Sequence, residues 1–486
     1  MKPFKNMLLI LRLHKGFNMD IRRFVLLGLI AILLASCTLA PGYSKPASPV
    51  PPGWPTGAAY SDVQTSPTAP TAADLPWREF FTDERIVELI GMALNYNRDM
   101  RLAVLNVERA RAYYGIQRAE SWPSVNAAGS GSQERVPADL SSTGSARTNE
   151  RYDVKLGVSA WEIDFFGRIR SLKDKALEEY LATDQARWGS QILLISSVAN
   201  LYLALAADRE TLKLVAETLR TREDAYGLIR KRFELGLASE LELRQAQSQV
   251  DTAKGDVARY MQMAAQDENA LSLLVGSSIP PGLVPADMGS VNPPREISAG
   301  LSSELLLRRP DVQSAEHRLK AANANIGAAR AAFFPRISLT TTLGTASADL
   351  SGLFKGGSGT WSFVPVIAMP IFDARTWSAY DVTKVDKEIT VAQYEKAIQT
   401  AFREVADALA VQGTVNRQIA AQQSLVDAVA ETYRLSRVRY ERGIDGYLSV
   451  LDAQRSLYGA QQGLVALRLA RVANLVTLYK VLGGGA

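Results

Sequence analysis

Residues Arg230 to Gln247 read RKRFELGLASELELRQAQ, and 207 positions later Arg437 to Gln454 read RVRYERGIDGYLSVLDAQ. Seven of these eighteen positions are identical: two Arg, a Glu, a Gly, a Leu, an Ala and the final Gln. A second echo, at an offset of 212, matches Asp99–Pro123 to Asp311–Pro335. A repeat this long is far beyond one solenoid unit, so it marks two copies of one half-protein. Whatever the chain folds into is built twice, and its fold must be pseudo-symmetric.

The longest stretches of both copies carry a helical phase. From Arg168 to Gly276 the main helix-breaking punctuation lies around Gly236, and from Arg375 to Gly483 it lies at Gly443 and Gly446. Leu212, Val215, Leu219, Arg222, Tyr226, Ile229 and Phe233 follow a 3-4-3-4 spacing. Their counterparts are Ile419, Gln422, Val426, Val429, Tyr433, Ser436 and Tyr440. The returning arms repeat the phase from Leu243 through Val250 to Tyr260, and from Val450 through Leu457 to Leu467. A heptad shared by both copies predicts supercoiled antiparallel helix pairs rather than a globular bundle. At about 1.5 Å per residue, the arm from Arg168 to the Gly236 turn spans roughly 100 Å.

Four short segments alternate instead. Tyr152, Val154, Leu156, Val158 and Ala160 face one way, with Asp153, Lys155, Gly157 and Ser159 opposite. Ile337–Gly344 alternates too, and Trp361, Phe363, Ile367, Met369 and Ile371 mark a third segment, with an irregularity expected at Pro365. The fourth, Val125–Ser132, rests mainly on being the repeat partner of the Ile337 strand. Residues 134–150 and 346–360 read as exposed polar loops between strands. Apolar-out, polar-in alternation of this length fits strands of a membrane β-barrel, and it also fits a soluble hairpin with one wet face. Four strands cannot close a barrel, and lipid tolerates no open edge, so several chains must contribute: two give eight strands, three give twelve.

The N-terminus offers three starts (Met1, Met7, Met19), then Arg22 and Arg23 before an apolar run from Phe24 to Leu34 that ends in Leu34-Ala35-Ser36-Cys37. This is the layout of a secretory signal. Cys37 is the only cysteine, so it forms no intrachain disulfide. Its place after Leu-Ala-Ser resembles a bacterial lipobox, in which the thiol is acylated; the alternative is an ordinary signal removed together with its Cys. Nine of the 21 prolines fall between Pro41 and Pro76, and such a stretch runs extended as a tether. The expected organisation is 1–36 signal, 37–82 acylated N-terminus and tether, 83–298 first repeat (helix, two strands, long helical hairpin) and 299–486 second repeat in the same order. No stretch beyond the signal reaches the ~18 apolar residues of a spanning helix; Ile192–Ala207 comes nearest and reads as a packed helix face.

Other classes fit poorly. There are two His, His14 in the signal and His317 alone on an Ala-rich helix, and no Cys/His cluster, phosphate loop or nucleophile motif, so no enzyme, cofactor or metal site is expected. The nine Met form no thioether cluster, which gives copper or silver export no support. Charges are interspersed around a net of +5, with no basic block for nucleic acid.

The lipobox Cys37, the strand-to-helix junctions at 161–168 (WEIDFFGR) and 370–375 (PIFDAR), and the tip GIDGYLSVLDAQR at 443–455 together resemble the TolC/OprM-type outer-membrane factors, over essentially all of the mature chain. The resemblance implies a mixed α and β membrane protein: a homotrimer with a twelve-stranded β-barrel in the outer membrane, continuous with a twelve-helix periplasmic α-barrel. It implies the exit duct of a tripartite efflux pump, reached from an inner-membrane RND-type pump through a periplasmic adaptor. The outer-membrane component of type I protein secretion and, further off, a periplasmic lipoprotein adaptor are the alternatives. By position, Leu448, Asp452 and Arg455 become the gate, on one helix face. Arg439 and Tyr440 become the tip latch, with Glu242 on the neighbouring turn as acceptor. Gly236, Leu237, Gly443 and Gly446 become the turns where the adaptor docks. Ser449 stands where some members carry a second Asp, so one acidic ring is implied rather than two.

Overall fold

The structure, a computed structural model, describes residues 38–61, 72–298, 300 and 302–484. The expected signal, Cys37 and tether residues 62–71 lie outside the described residues. In chain order the helices α1 (Trp77–Phe80), α2 (Glu84–Tyr96) and α3 (Arg98–Ala119) lead into strands β1 (Val125–Val136) and β2 (Arg147–Glu162). The long hairpin of α4 (Arg168–Glu234) and α5 (Glu240–Val275) follows. The order then recurs: α6 (Pro310–Ala331), β3 (Arg336–Ser347), β4 (Gly359–Ala368), α7 (Ala374–Glu441) and α8 (Tyr447–Val481). Short 3-10 turns occupy the linker between α5 and α6. The described residues gather into two compact units, and α3, α4, α6 and α7 each contribute to both.

The first unit (38–45, Ala110–Tyr180 and His317–Val391) holds a four-stranded antiparallel sheet in the order β1-β2-β3-β4. Register decides its chemistry. Ala127, Leu156, Leu343 and Trp361 stand side by side across the strands, as do Val125, Val158, Thr341 and Phe363. One residue along, on the other face, come Asn126, Gly157, Thr342 and Ser362. On that polar face Asp153 accepts from Ser130, from Lys155 at 2.5 Å and from Arg151 at 3.3 Å. The apolar face is bare: Leu343, Trp361 and Phe363 are 69%, 75% and 59% exposed.

Three strand expectations need correction. The strands run further than their alternation, so Glu134 and Glu150, read as loop ends, are paired with Asn149 and Gln133, and the same holds for Ala346 and Thr360 of the second loop. Ladder hydrogen bonds continue past the apolar band, where no hydrophobic signal marks them. Met369 and Ile371 lie beyond the end of β4. The irregularity sits not at Pro365, which pairs in register with Leu339, but between Val158 and Trp161. There a bulge puts Ala160 at φ 51° and its N–H bonds Thr340 Oγ1 at 3.1 Å. β4 is an edge strand within the chain, and proline is tolerated there.

The extended N-terminal stretch is held by side chains reaching for its carbonyls. In the first unit Asn323 donates to Pro41 O at 2.7 Å and Arg330 to Leu39 O at 3.2 Å. In the second unit (46–109, Leu181–Glu316 and 392–486) Ser303 Oγ donates to Pro51 O at 2.6 Å, Trp54 stacks on Phe402 at 5.5 Å, and Arg417 donates to Ala58 O at 2.9 Å. A Cβ at Gly413 would lie 2.2 Å from Ala59 O, so only glycine lets the strap lie flat against α7.

The second unit's core joins its chain ends to the hairpins. Phe80 stacks on Tyr479 at 4.0 Å, and Tyr479 donates to Leu75 O at 2.6 Å. The buried Arg309 guanidinium bonds Val481 O, Asp311 and Glu404, all within 3.0 Å. The heptad seam is visible as Val215, Ile229, Ala246, Val250 and Ala253, all buried. An 18-residue window of α4 does reach spanning-helix hydropathy, contrary to expectation, but 61% of it is buried, as Ile195, Val198, Tyr202, Leu203 and Ala206 show. That makes it a packed helix face.

These contacts can be tested in two ways. Gly413→Ala should lift the strap and speed cleavage at residues 57–61 in limited proteolysis, with helix content unchanged. Burial, together with the Asp267 charge, pushes the Asp208 carboxyl up to about 6. A raised acid pKa favours the fold at low pH, and that contribution is lost as pH rises through about 6. Asp208→Asn should therefore raise the melting temperature at about pH 7.5, and its advantage over the natural chain should shrink by about pH 5.

Candidate gate at the helix turns

Each long hairpin reverses through the same local geometry. At the first turn Gly236 has φ 73°, its N–H bonds Phe233 O at 2.9 Å, and Leu237 N–H bonds Arg232 O at 2.7 Å. At the second, Gly443 has φ 72°, its N–H bonds Tyr440 O at 2.9 Å, and Ile444 N–H bonds Arg439 O at 2.9 Å. This pairing satisfies the last free carbonyls of a helix and needs a left-handed residue, which is why both copies keep Gly there.

The returning helices start differently. Ser239 caps α5, its Oγ accepting from Glu242 N–H at 3.2 Å, while the Glu242 carboxylate takes Ser239 N–H at 2.8 Å. This reciprocal box satisfies two helix-end donors. At α8 the cap is Gly446, which offers no side chain. Here Arg439 instead reaches across the turn to Asp445 with two bonds of 2.6 and 3.0 Å. The guanidinium holds the Asp445 carboxyl below the usual carboxylate range.

The latch expectation changes accordingly. Arg439 is bound to Asp445 within its own turn, and the Glu242 carboxylate is taken by the cap of its own helix. Tyr440 is buried at 8% exposure, and its hydroxyl has no hydrogen-bond partner among the described residues. It serves in a small core with Ile229, Ala246, Tyr447, Val450 and Leu451. Its ring lies 5.3 Å from that of Tyr447, and the Arg232 guanidinium sits 5.1 Å above it. Burial pushes the Tyr447 hydroxyl up to about 12. Arg232 and Arg439 hold equivalent positions in the two copies, so one arginine type does two jobs: stacking at one tip, clamping at the other.

The three residues expected at the gate share one face of α8. Leu448, Asp452 and Arg455 are all exposed on α8, while Tyr447, Val450, Leu451, Ala453 and Gln454 are buried behind them. Asp452 and Arg455 make no ion pair among the described residues. Leu241, the first-copy counterpart of Leu448, is exposed as well, at 66% against 56%. The turn residues Leu235, Leu237 and Ile444 also stand in the open. Sequence reading missed Asp445, Arg232 and Leu241. The Ile-Asp-Gly turn was the available signal for Asp445, and the 207 offset was the signal for the other two.

Deeper in the hairpins, the seam residue Arg222 is buried and bonded to Gln249 O at 3.0 Å, beside Tyr458, whose hydroxyl donates to Asp256 at 3.1 Å. In the first unit, His317 pairs with Glu178 at 2.6 Å, so it is a structural contact of α6.

Comparison with known proteins matches this arrangement. The sequence model of the family "Outer membrane efflux protein" matches residues 89–277 and 301–484, one span per repeat. The "Probable efflux pump outer membrane protein TtgC" of Pseudomonas putida is 49% identical over 460 residues, covering 94% of this chain and 95% of its own. A crystal structure of a membrane protein from Pseudomonas aeruginosa superposes with a TM-score of 0.86 at 41% identity, covering 92% of this chain and 98% of that one. The open state of the Neisseria gonorrhoeae MtrE outer membrane channel gives 0.82 at 37% identity, covering 92% and 98%. With both repeats matched and nearly the whole length shared, the chain belongs to the outer membrane efflux protein family.

Proposed function

We propose that this chain is the outer-membrane exit duct of a tripartite efflux pump, passively conducting substrates outward through a gate at its helix turns. The observation that carries the reading is the sheet: one apolar face, one polar face, and two unpaired edges, on β1 and β4. In hydrocarbon those edges must find strands, and three copies supply a twelve-stranded barrel with the Asp153 face inside. The four long helices per chain then make a twelve-helix tube, and the duplication supplies six similar hairpins around it. Acylation of Cys37 anchors the N-terminus in the outer membrane, and the strap carries it along the body. The exposed turn residues Leu237 and Ile444, beside Gly236, Gly443 and Gly446, form the docking surface for a periplasmic adaptor that links to an RND-type inner-membrane pump.

At the gate, three copies of Leu448 make an apolar constriction and three of Asp452 a carboxylate ring beside Arg455. Close apolar constrictions gate by dewetting, and acidic rings favour cations. The latch is the Arg439–Asp445 clamp, which holds the second turn in shape, with Glu242 stiffening the first. Tyr440 contributes packing.

Arg439→Ser should raise single-channel conductance in planar bilayers, whereas Tyr440→Phe, which loses only an unpaired hydroxyl, should leave it near the natural value. Unchanged conductance in the Arg439 variant would remove the latch. Asp452→Asn should weaken block by multivalent cations added on the turn side. Equal block in both proteins would place selectivity elsewhere.

A further inference from the structure

The stripe of α8 that carries Leu448, Asp452 and Arg455 continues away from the turn into a cluster that ties the chain's two hairpins together. Tyr458 follows Arg455 by three positions and Gln462 by seven, so both stand on that stripe, with Tyr458 about 15 Å along the helix from Leu448. All the residues concerned lie in the second unit. The Tyr458 hydroxyl donates to Asp256 Oδ2 on α5 at 3.1 Å. Gln462 Nε2 donates to the hydroxyls of Tyr458 at 2.9 Å and of Tyr260, on α5, at 3.2 Å. The other oxygen of Asp256 pairs with Arg259 at 3.1 Å. At the 207 offset the counterparts of Tyr458, Gln462, Asp256 and Tyr260 are Asp251, Gly255, Gly463 and Leu467, which cannot form the same set. The cluster therefore belongs to the pairing of first and second hairpins inside one chain, and the duplication does not repeat it.

Beside it lies a buried charge without an ionic partner. Arg222 of α4 is 4% exposed, and its guanidinium sits 5.6 Å from the Tyr458 ring. One bond runs to Gln249 O at 3.0 Å, while the buried Nε has no partner and no carboxylate pairs with Arg222 among the described residues. Burial pulls the guanidinium below its ordinary pKa, with the neighbouring Tyr458 and Asp256 acting the other way. A buried guanidinium is costly unless a carboxylate meets it. Asp256 is the carboxylate at hand, and its Oδ2 is taken by Tyr458. Arg222 shares a hairpin with Asp256, whereas Tyr458 belongs to the other.

We propose that Tyr458 and Asp256 are positioning residues of the gate: their bond braces α8 against the first hairpin at rest, and when α8 swings away Asp256 passes from Tyr458 to Arg222. The inference rests on the gate reading above. It adds a second restraint, separate from the Arg439–Asp445 clamp, which acts within one turn. The exchange gives the first hairpin an internal ion pair as the second hairpin departs, so the lost contact is partly offset. Two discrete arrangements result, the condition for a switch rather than a gradual yielding.

The test records the open-to-closed ratio of the full-length protein in planar bilayers. Tyr458→Phe keeps the ring beside Arg222 and removes the hydroxyl; it should raise that ratio about fivefold, the worth of one hydrogen bond. Combining it with Asp256→Asn should lose most of that gain, because the amide has no charge to offer Arg222. A simple loosening of the bundle would make the double variant more open still, and a double variant at least as open as Tyr458→Phe overturns the exchange. Tyr458→Phe at the natural ratio, in a protein that Arg439→Ser opens, overturns the brace and leaves the gate reading intact. A channel that neither change opens overturns both. Should Tyr458→Phe fail to assemble, Tyr458→Cys with Asp256→Cys, bridged by a short bis-methanethiosulfonate reagent, should show a lowered ratio that reduction restores. Equal ratios before and after reduction overturn the brace.

Discussion

Unpaired backbone groups at the edges of the sheet are the constraint on which the rest of this molecule depends. β1 and β4 each present a row of N–H and C=O groups to whatever lies beside them. An aqueous edge can be wetted, but the β4 edge carries Trp361 and Phe363 on an exposed apolar face, and in hydrocarbon each unmet hydrogen bond there would cost several kcal/mol. That cost is the physical ground of the multi-copy reading proposed above. The sheet's polar face, with Asp153 held by Ser130, Lys155 and Arg151, suits contact with water, as the proposed barrel requires of its inner side.

Duplication is the economical answer to that constraint. On the multi-copy reading proposed above, a half-protein that pairs with its own copy inside the chain would pair again between chains. The first unit shows both conditions together. Leu319, Ala321, Ile326 and Ala331 of α6 are buried, while residues 110–119 of α3 include no buried side chain; Ile169 and Ala176 at the start of α4 are buried, while Trp377, Val382, Val385 and Ile389 at the start of α7 are exposed. The copies have drifted here: Lys175 bonds Asn325, while the residues at the same offsets, Val382 and Tyr113, are apolar or aromatic and exposed.

The turns show drift with consequence. Both keep the glycine that closes the helix, because the left-handed backbone leaves little choice. Beyond it, the first copy caps α5 with Ser239 and Glu242, a local device of about 1 kcal/mol. The second copy has given up that cap for Gly446 and uses a longer-range clamp between Arg439 and Asp445. A turn held by one ion pair in the open is easier to remodel than one held by its own helix cap, and this difference is what supports the proposal of a gate in the second copy.

The division between sequence and structure follows the range of the interactions. Periodicity and offset are properties of the chain itself. The two copies, the long helices, their seam from Val215 to Ala253, the alternating strands and the turn glycines were therefore all legible. Strand ends were not: Glu134 and Glu150 pair by ladder hydrogen bonds that carry no side-chain signature. The spacing points to Pro365 for an irregularity that sits at Ala160, because proline is visible in a sequence and a twisted ladder is not. It also offers Glu242 as the acceptor for Arg439, whereas within this chain Arg439 bonds Asp445 and the Glu242 carboxylate takes Ser239 N–H. Competition among neighbouring acceptors depends on angles and distances that no spacing rule contains. The sequence by itself determined that there are two halves and what each is made of. Only the tertiary structure decided which half is covered and which is left bare, because burial is a property of surfaces brought together and not of residues in order.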